Sequence, residues 1–510
     1  MRLARLCPRL AAAAGVTLSV RSSPVRRLAA LTVSPTLRNG LWNAGANALI
    51  ALVGVLSSVI VVRSLSPEAY GVFSYHLWLA SVCTALGMLA LPQALTKVSA
   101  ELLGQNRHQD ADALTAVVWR AALVLNGLVA LIITAVWLQH PQNLYLLIVA
   151  AAQLPVALTG IASSHLWGRQ TYRPVAVWTS LATLVQLALL ALAQFLGWAG
   201  PGFAAAILGS TAVTWIGLTA RLSPVLSWRA PMPPRRIMAQ YASFLLPATL
   251  SRLVEVVVWQ RSELLFLSRL STEAQIGFYS LAYTIYAIVL GVGWALINGY
   301  YPSISYHQGA GQDRAIRHKL HQGLTLAVLY AAPVGFGMAV TLGALIRFLY
   351  GDKMLPSVAV GQILLLGLTP GVLCGMLALT VAAVGRVWLD VTLGLAAAAV
   401  NIALALWLVP EHGALGAALA TTGAQVAYFF GLAWATSRVC GLRVIWRQPA
   451  RLLVLAAVTT LTLPLLLQRL LPGPEILKVV LAALLGGLCY LLVVWYGGYL
   501  QQLRSSEETL

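Results

Sequence analysis

Charged residues are scarce in this sequence, since only 9% of its 510 residues are Asp, Glu, Lys or Arg. Hydrophobic residues make up 59% and the mean hydropathy is +0.82, which leaves too little polar surface to cover a water-soluble globule of this length. The composition therefore excludes soluble proteins and indicates an integral membrane protein.

Paired cysteines and long polar loops are also missing. The 5 cysteines are odd in number, scattered and mostly within apolar runs, which argues against a disulfide framework and against a metal site. The loops between apolar runs are short, so the chain has no room for a soluble catalytic domain. We therefore predict that the protein is not an enzyme.

Apolar runs long enough to cross a hydrocarbon core of about 30 Å recur from Leu41 nearly to the C-terminus. They lack the period of two that marks a membrane β-barrel, so the fold class is an all-α polytopic membrane protein. We predict about 14 transmembrane helices, near residues 43–62, 71–94, 117–138, 144–166, 175–197, 202–221, 241–266, 278–300, 322–348, 356–383, 388–408, 413–437, 451–470 and 477–499.

Basic residues are concentrated in one set of loops. Roughly 25 of the 33 Lys and Arg residues lie in the N-terminal arm, in the loops that join even- to odd-numbered helices, or in the C-terminal tail. The opposite loops hold few, among them Arg63, Arg347 and Lys353. The positive-inside rule then predicts a multi-pass protein of the cell membrane, the bacterial inner membrane, with both termini in the cytoplasm. Because topology explains the net charge of +19, nucleic acid is not an expected partner.

The sequence also contains an internal repeat. Residues 65–69 (Leu-Ser-Pro-Glu-Ala) with Gly71 recur as residues 270–274 (Leu-Ser-Thr-Glu-Ala) with Gly277. Each copy joins the first and second predicted helices of its half, so six helices occur twice in the same orientation. The predicted domains are a basic cytoplasmic arm (1–40), an N-lobe (41–222), a C-lobe (241–438), an extra helix pair (451–500) and a cytoplasmic tail (501–510).

The repeated segments carry a family resemblance. Arg63-Ser-Leu-Ser-Pro-Glu-Ala-Tyr-Gly71 and Ser268-Arg-Leu-Ser-Thr-Glu-Ala-Gln-Ile-Gly-Phe-Tyr-Ser-Leu-Ala-Tyr283 resemble the polysaccharide biosynthesis, or oligosaccharide flippase, family of the multidrug, oligosaccharidyl-lipid and polysaccharide exporter superfamily. The similarity extends loosely over residues 40–500 through the helix count and the length of each half. It implies a fold like that of the multidrug exporters (MATE), in which two lobes flank a cavity.

The resemblance also implies a function. A member of this family flips an undecaprenyl-diphosphate-linked oligosaccharide from the inner to the outer leaflet for export of cell-surface polysaccharide, by alternating access between two lobes. Its implied partners are the lipid-linked oligosaccharide, the bilayer, a polysaccharide polymerase and glycosyltransferases. No cofactor is expected, although transport would be coupled to a proton or sodium gradient or to the membrane potential. For the extra helix pair, one hypothesis is a groove for a long lipid tail.

Ionisable residues inside spans are the best site candidates, because each costs roughly 2.5–3.5 kcal/mol at the centre of a helix on insertion scales. In the seventh predicted helix, Arg252, Glu255, Trp259 and Glu263 share one face. We interpret this face as the cavity lining, with Arg252 contacting a phosphate and Trp259 stacking on a sugar ring. The alternative is a buried Arg252–Glu255 pair that only fixes helix packing. Further cavity candidates are His76, Asn298 and Asn47.

Three other ionisable residues have local explanations. Asp390 lies four residues after Arg386, a spacing that predicts a local ion pair. His165 and Arg120 lie near cytoplasmic helix ends, where snorkelling to the membrane surface would account for them.

The N-terminal arm holds seven arginines and no acid. We interpret it as a basic segment lying on anionic lipid. The alternatives are a transit peptide, a signal peptide, or an upstream extension from a misplaced start codon.

Two other functions compete with flipping. A cation-coupled multidrug exporter of the same superfamily usually needs a carboxylate inside the membrane. The first six predicted spans contain none, whereas Glu255, Glu263 and Asp390 leave this function open in the second half. A membrane glycosyltransferase or polymerase would need positioned acids, bases or metal ligands, commonly in an extended outer loop. No outer loop here is long enough.

Overall fold

The computed structural model describes residues 16–17, 32–33, 35–222, 225, 230–259, 262–438, 440–442, 446–462 and 475–496. The predicted tail (501–510) and most of the predicted arm (1–40) lie outside the described residues. Within the arm, two short strands, β1 (Val16–Thr17) and β2 (Thr32–Val33), pair in antiparallel fashion. The first helix already begins at Pro35.

The first half consists of seven helices among the described residues, in the order that the repeat predicts. They are α1 (Pro35–Ser64), α2 (Pro67–Met88), α3 (Leu91–Gly104), α4 (His108–Gln139), α5 (Leu144–Gly168), α6 (Tyr172–Phe195) and α7 (Pro201–Leu222).

The second half repeats this order with more interruptions. Its helices are α8 (Arg235–Trp259), α9 (Glu263–Leu270), α10 (Glu273–Asn298), α11 (Tyr300–Gly309), α12 (Asp313–Tyr350), α13 (Ser357–Leu366), α14 (Leu368–Ala383) and α15 (Val387–Arg438). The short helices α3 and α11 follow the second helix of each half, α2 and α10. Beyond the repeat lie α16 (Arg447–Ala456), a π-helical turn (Ala457–Thr462) and α17 (Glu475–Tyr496).

Within the described residues, 10 helices are long and apolar enough to cross a membrane. One of them, α15, has 52 residues and bends at Gly413 (φ 52°, ψ −126°), so it supplies both the eleventh and twelfth predicted spans. Glycine permits the positive φ that this bend requires. The all-helical membrane fold class is confirmed. The prediction of one continuous helix over 241–266 is wrong, because α8 ends at Trp259 and α9 begins at Glu263.

The chain forms two compact units, 1–60 with 83–249, and 61–82 with 250–510. In the first, Leu95, Leu114 and Ile161 form part of a buried core. In the second, the core includes Leu264 and Leu324. The segment 61–82, which the sequence assigns to the N-lobe, therefore packs with the second half.

Large apolar side chains also cover the outside of the helices. Leu131 and Ile132 on α4 are 67% and 64% exposed, and Phe195 at the end of α6 is 87% exposed. In water such surfaces would be costly, but hydrocarbon solvates them, which is why the chain needs so few charged residues.

The two copies of the repeated segment pack against each other. A Cβ atom added to Gly71 would overlap the carbonyl oxygen of Glu273 and lie 3.1 Å from the Gly277 nitrogen. A Cβ atom added to Gly277 would overlap the carbonyl oxygen of Pro67 and lie 3.3 Å from the Gly71 nitrogen. The contact is reciprocal, and only glycine on both helices lets the backbones approach so closely.

Basic side chains cap helix ends beside this contact. Arg63 donates through Nε to the Leu349 carbonyl (2.7 Å) and through Nη2 to the Phe348 carbonyl (2.6 Å), at the C-terminus of α12. Lys353 Nζ donates in return to the Arg63 carbonyl (2.8 Å) and to the Leu65 carbonyl, at the C-terminus of α1. Positive charge is favourable at helix C-termini. This capping explains why Arg63 and Lys353 occur in loops that the positive-inside rule predicts to be poor in basic residues.

Gly71→Ala should destabilise the protein by about 1–3 kcal/mol, because the new methyl group is forced into a backbone carbonyl. Loss of helical circular dichroism on heating, in a mild detergent, measures the effect. The matched control is Gly291→Ala on α10, where a Cβ atom meets nothing within 4 Å. Equal melting temperatures for the two variants would contradict the reciprocal glycine contact.

Candidate functional site

Glu263 is the most deeply buried acid among the described residues. It is 1% exposed and is the first residue of α9. A carboxylate in such surroundings is costly unless hydrogen bonds and neutralising charge compensate for lost hydration.

Three neutral groups donate hydrogen bonds to this carboxylate. Thr421 Oγ1 lies 2.7 Å and Asn401 Nδ2 lies 2.8 Å from Glu263 Oε1, and Tyr279 OH lies 3.0 Å from Glu263 Oε2. The Tyr279 and Thr421 hydroxyls are themselves 3.0 Å apart. The four residues come from α9, from α10 and from both arms of the bent helix α15, so this cluster (Glu263, Tyr279, Asn401 and Thr421) exists only in the folded chain.

Glu263 is the one carboxylic acid of this cluster, and its other members are neutral oxygen and amide groups. The ion pairs found in the described part of the chain do not include Glu263. Beside it, Asn401 is 2% exposed, and its Oδ1 atom has no hydrogen-bond partner among the described residues. The carboxylate, the amide oxygen and the hydroxyls are the oxygen ligands that hard cations prefer.

A second hydrogen-bonded pair lies one turn further along the same face of α15. Tyr286 OH donates to Gln425 Oε1 over 3.1 Å. Gly371 on α14 makes room for this pair, since a Cβ atom there would lie 2.9 Å from the Tyr286 hydroxyl. Cys374 on the same helix donates through Sγ to the Gln425 carbonyl over 3.4 Å.

A second acid lies beyond this pair, near the start of α15. Tyr428 OH donates to Asp390 Oδ1 over 2.6 Å, and the Tyr428 side chain is buried. Among the ion pairs of the described residues none joins Asp390 to Arg386, so the local ion pair predicted from their spacing is not formed. The tertiary partner from the other arm of α15 is bonded to the acid instead.

The structure describes only some of the other side chains predicted from the seventh helix. Arg252 lies half-buried within α8. Glu255 and Trp259 belong to the same helix, but their side chains lie outside the described residues. The link from Trp259 to Glu263 also lies partly outside the described residues, so their predicted shared face stays a prediction. The cavity role of this face stays a prediction.

The remaining cavity candidates do not join the cluster. His76 is 7% exposed, and its Nδ1 lies 2.7 Å from the Val72 carbonyl of the preceding turn. Asn47 and Asn298 are exposed, on α1 and at the end of α10. Of the predicted site residues whose side chains the structure describes, Glu263 alone lies in the polar cluster. Sequence reasoning missed Asn401 and Thr421, although the polar spacing of Thr421, Gln425 and Tyr428 (i, i+4, i+7) could have indicated a buried polar face.

Snorkelling is the wrong explanation for His165. Its side chain is 4% exposed, and Nδ1 lies 2.9 Å from Thr115 Oγ1 within the first unit. The Nη2 atom of Arg120 donates to the Ala230 carbonyl over 3.2 Å, in the segment between α7 and α8.

Comparison with known proteins identifies the family of this chain. The model of the polysaccharide biosynthesis protein family matches residues 36–308, more than half of the chain. The chain belongs to this family. The match covers both copies of the repeated segment on which the resemblance in the sequence rests.

Individual relatives of this family member are distant. Over 351 residues it is 21% identical to Stage V sporulation protein B of Bacillus subtilis (strain 168), covering 62% of this chain and 67% of that protein. Over 188 residues it is 31% identical to the Probable multidrug resistance protein NorM of Bradyrhizobium diazoefficiens (strain JCM 10833 / BCRC 13528 / IAM 13628 / NBRC 14792 / USDA 110), covering 34% of this chain and only 38% of that protein.

Solved structures share the fold. A structure titled lipid II flippase MurJ, inward closed conformation, superposes with a TM-score of 0.72 at 14% identity, over 90% of this chain and 99% of that one. An inward-facing multidrug resistance MATE family transporter of the MOP superfamily superposes with a TM-score of 0.64 at 16% identity, over 77% and 95%. At these identities the likeness establishes the fold alone.

Thr421→Val should destabilise the second unit by about 1–3 kcal/mol, because it removes the hydroxyl that bridges Tyr279 and Glu263 and leaves a buried acid short of a donor. Thermal unfolding of the purified protein measures the change. The control is Thr380→Val, an equally buried threonine that bonds only the Met376 carbonyl of its own helix. A loss for Thr421→Val no larger than for Thr380→Val would remove Thr421 from the cluster.

Proposed function

We propose that this protein flips an undecaprenyl-diphosphate-linked oligosaccharide from the inner to the outer leaflet of the cell membrane, by alternating access between two lobes. The observation that carries the proposal is membership of the polysaccharide biosynthesis family on a transporter fold. A pyrophosphate with a hydrated glycan cannot cross hydrocarbon unaided, because burying unpaired charge costs many kcal/mol. The acceptors of its product would be a polymerase and glycosyltransferases at the outer face.

An apolar groove supports a substrate with a lipid tail. A cavity of about 390 Å³ lies between α12 and the helices beyond the repeat, bordered by Leu329, Tyr330 and Pro333 on one side and by Gly487 and Tyr490 on the other. The helices that complete this groove are the pair appended to the two six-helix repeats. A groove of this composition suits a polyprenyl chain, which gives the appended pair a role in the proposed function.

The Glu263 cluster supplies the means to drive transport. A cation that enters the buried cluster neutralises the carboxylate, and its release leaves an uncompensated charge. Occupied and empty states therefore differ in energy, which is what coupling to an ion gradient requires. We assign Glu263 as the coupling acid for a proton or a sodium ion.

A cation-coupled multidrug exporter is the second candidate. The buried acid in the second unit and the partial identity to a probable multidrug resistance protein favour it. The two candidates differ in the substrate, because a drug needs no groove for a long polyprenyl chain.

Proteoliposomes containing a fluorescent polyprenyl-diphosphate disaccharide test the substrate, with quenching from outside reporting leaflet exchange. The wild type should accelerate exchange, and Gly487→Leu should slow it, because the new side chain fills open space in the groove. A short-chain analogue of the same disaccharide is the control, and the variant should move it normally. Export of ethidium without exchange of either lipid would instead establish the multidrug exporter.

Glu263→Gln should abolish the dependence of transport on an imposed proton or sodium gradient, because the amide neither ionises nor holds a cation strongly. Exchange rates of the same probe with and without each gradient give the readout. Glu101→Gln, at an exposed acid in the first unit, should behave like the wild type. A full gradient response in Glu263→Gln would refute the coupling role.

A further inference from the structure

A second groove lies between α1 and α6, within the first unit. Its volume is about 620 Å³, and one face of each helix supplies its mostly apolar lining. A Cβ atom added to Gly45 would meet nothing within 4 Å, so the small residues of this lining leave the space open. The lining residues are Trp42, Gly45 and Ala46 on α1, and Ala176, Val177, Ser180, Leu181 and Leu184 on α6.

A positive charge lies at one end of this groove. Arg173 precedes Ala176 by three residues and Val177 by four, so it continues the lining face of α6. Its guanidinium carbon lies 5.4 Å from the centre of the Trp42 ring on α1. This cation–π contact holds the charge beside the apolar lining.

No acid balances the charge of Arg173 in the described part of the first unit. The ion pairs found there join other residues, and Asp112 is already bonded to Arg169. The Arg173 side chain is exposed. A guanidinium group that rests on an aromatic ring can still donate paired hydrogen bonds to a phosphate group. Arg173 can therefore bind an anion from outside the protein.

The groove extends along the helices from this charge. From Ala176 to Leu184 the helix rises by about 12 Å. Beyond Leu184, α1 and α6 are in contact, where Gln186 Nε2 donates to Ser57 Oγ over 3.5 Å. The positive-inside rule predicts that the end with Arg173, at the start of α6, is cytoplasmic. A charge at the membrane surface followed by an apolar channel suits a membrane lipid whose headgroup is in the inner leaflet.

We propose that this groove binds an anionic phospholipid of the inner leaflet, with the phosphate at Arg173 and one acyl chain between α1 and α6. A zwitterionic phospholipid fits the same space, but its headgroup carries its own cation and gains less from an arginine without an acid partner. The net negative charge of the headgroup is therefore what Arg173 selects. The residues of this site differ from those of the groove beside α12, and the inference does not depend on the proposed transport function.

Photolabelling of the full-length protein in nanodiscs tests the site. The bilayer is phosphatidylcholine with a small fraction of phosphatidylglycerol that carries a diazirine in one acyl chain, and peptide mass spectrometry maps the adducts. The wild type should carry adducts on the groove-lining peptides of α1 and α6. Phosphatidylcholine with the same diazirine should label these peptides about fivefold less, a factor that corresponds to about 1 kcal/mol of charge attraction.

Arg173→Gln tests the charge. Labelling by the phosphatidylglycerol probe should fall about fivefold, because one basic group near an anionic headgroup is lost. Labelling by the phosphatidylcholine probe should not change. The matched control is Arg221→Gln, at an exposed arginine near the end of α7, which should be labelled like the wild type by both probes.

Gly45→Leu tests the groove. The new side chain enters open space, so labelling of the groove-lining peptides by both probes should be lost without a change in melting temperature. The matched control is Gly54→Leu, nine residues further along α1 and on its opposite face, where a Cβ atom also meets nothing within 4 Å. This control should be labelled like the wild type.

Three results would overturn the proposal. Equal labelling of the wild type by the two probes, or unchanged labelling of Arg173→Gln, would leave only ordinary contact with the bilayer. Full labelling of Gly45→Leu would mean that the lipid lies outside the groove. Displacement of the phosphatidylglycerol probe by a polyprenyl diphosphate, at a concentration where unlabelled phosphatidylglycerol has no effect, would make the groove an entry for a transport substrate instead.

Discussion

The constraint on which this structure depends is the burial of a carboxylate inside a helical unit that is surrounded by hydrocarbon. Glu263 is held by three neutral donors from three different segments, so the helices that carry Tyr279, Asn401 and Thr421 must converge on it. The break between α8 and α9 places the acid at the start of a helix, and the bend at Gly413 returns both arms of α15 to the same site. The acid to which we assign the coupling role is therefore also a point on which the packing of the unit depends.

The second constraint on the packing is the close contact between two helix backbones. Gly71 and Gly277 bring the two copies of the repeated segment together, and Arg63 and Lys353 satisfy the carbonyl groups at the helix ends beside them. Without a hydrophobic effect between helices in lipid, such small-residue contacts and charge-assisted caps provide much of the specific packing. The repeated segment therefore carries the family resemblance, and its two glycines are also required for the packing of its two copies.

Residue patterns predicted the fold better than they predicted the site. The apolar runs and the repeat predicted the order of the long helices. Helical periodicity pointed to Arg252 and Trp259 as the companions of Glu263, whereas the described partners of this acid lie on α10 and α15. Likewise, the spacing of Asp390 from Arg386 favoured a local ion pair, whereas the acid bonds Tyr428, which follows it by 38 residues. Spacing along one helix therefore predicts the wrong partner where a residue that is distant in the sequence lies closer in the fold.

The sequence by itself determined the class of the protein, its duplicated halves and its family, because hydrophobic length, charge asymmetry and the repeated segment are properties of neighbouring residues. Only the tertiary structure decided which polar residues meet. The partners of Glu263 are separated from it by 16, 138 and 158 residues, and no periodicity extends over the two longer distances. Packing brings them together because a buried acid must find its donors on whichever helices surround it.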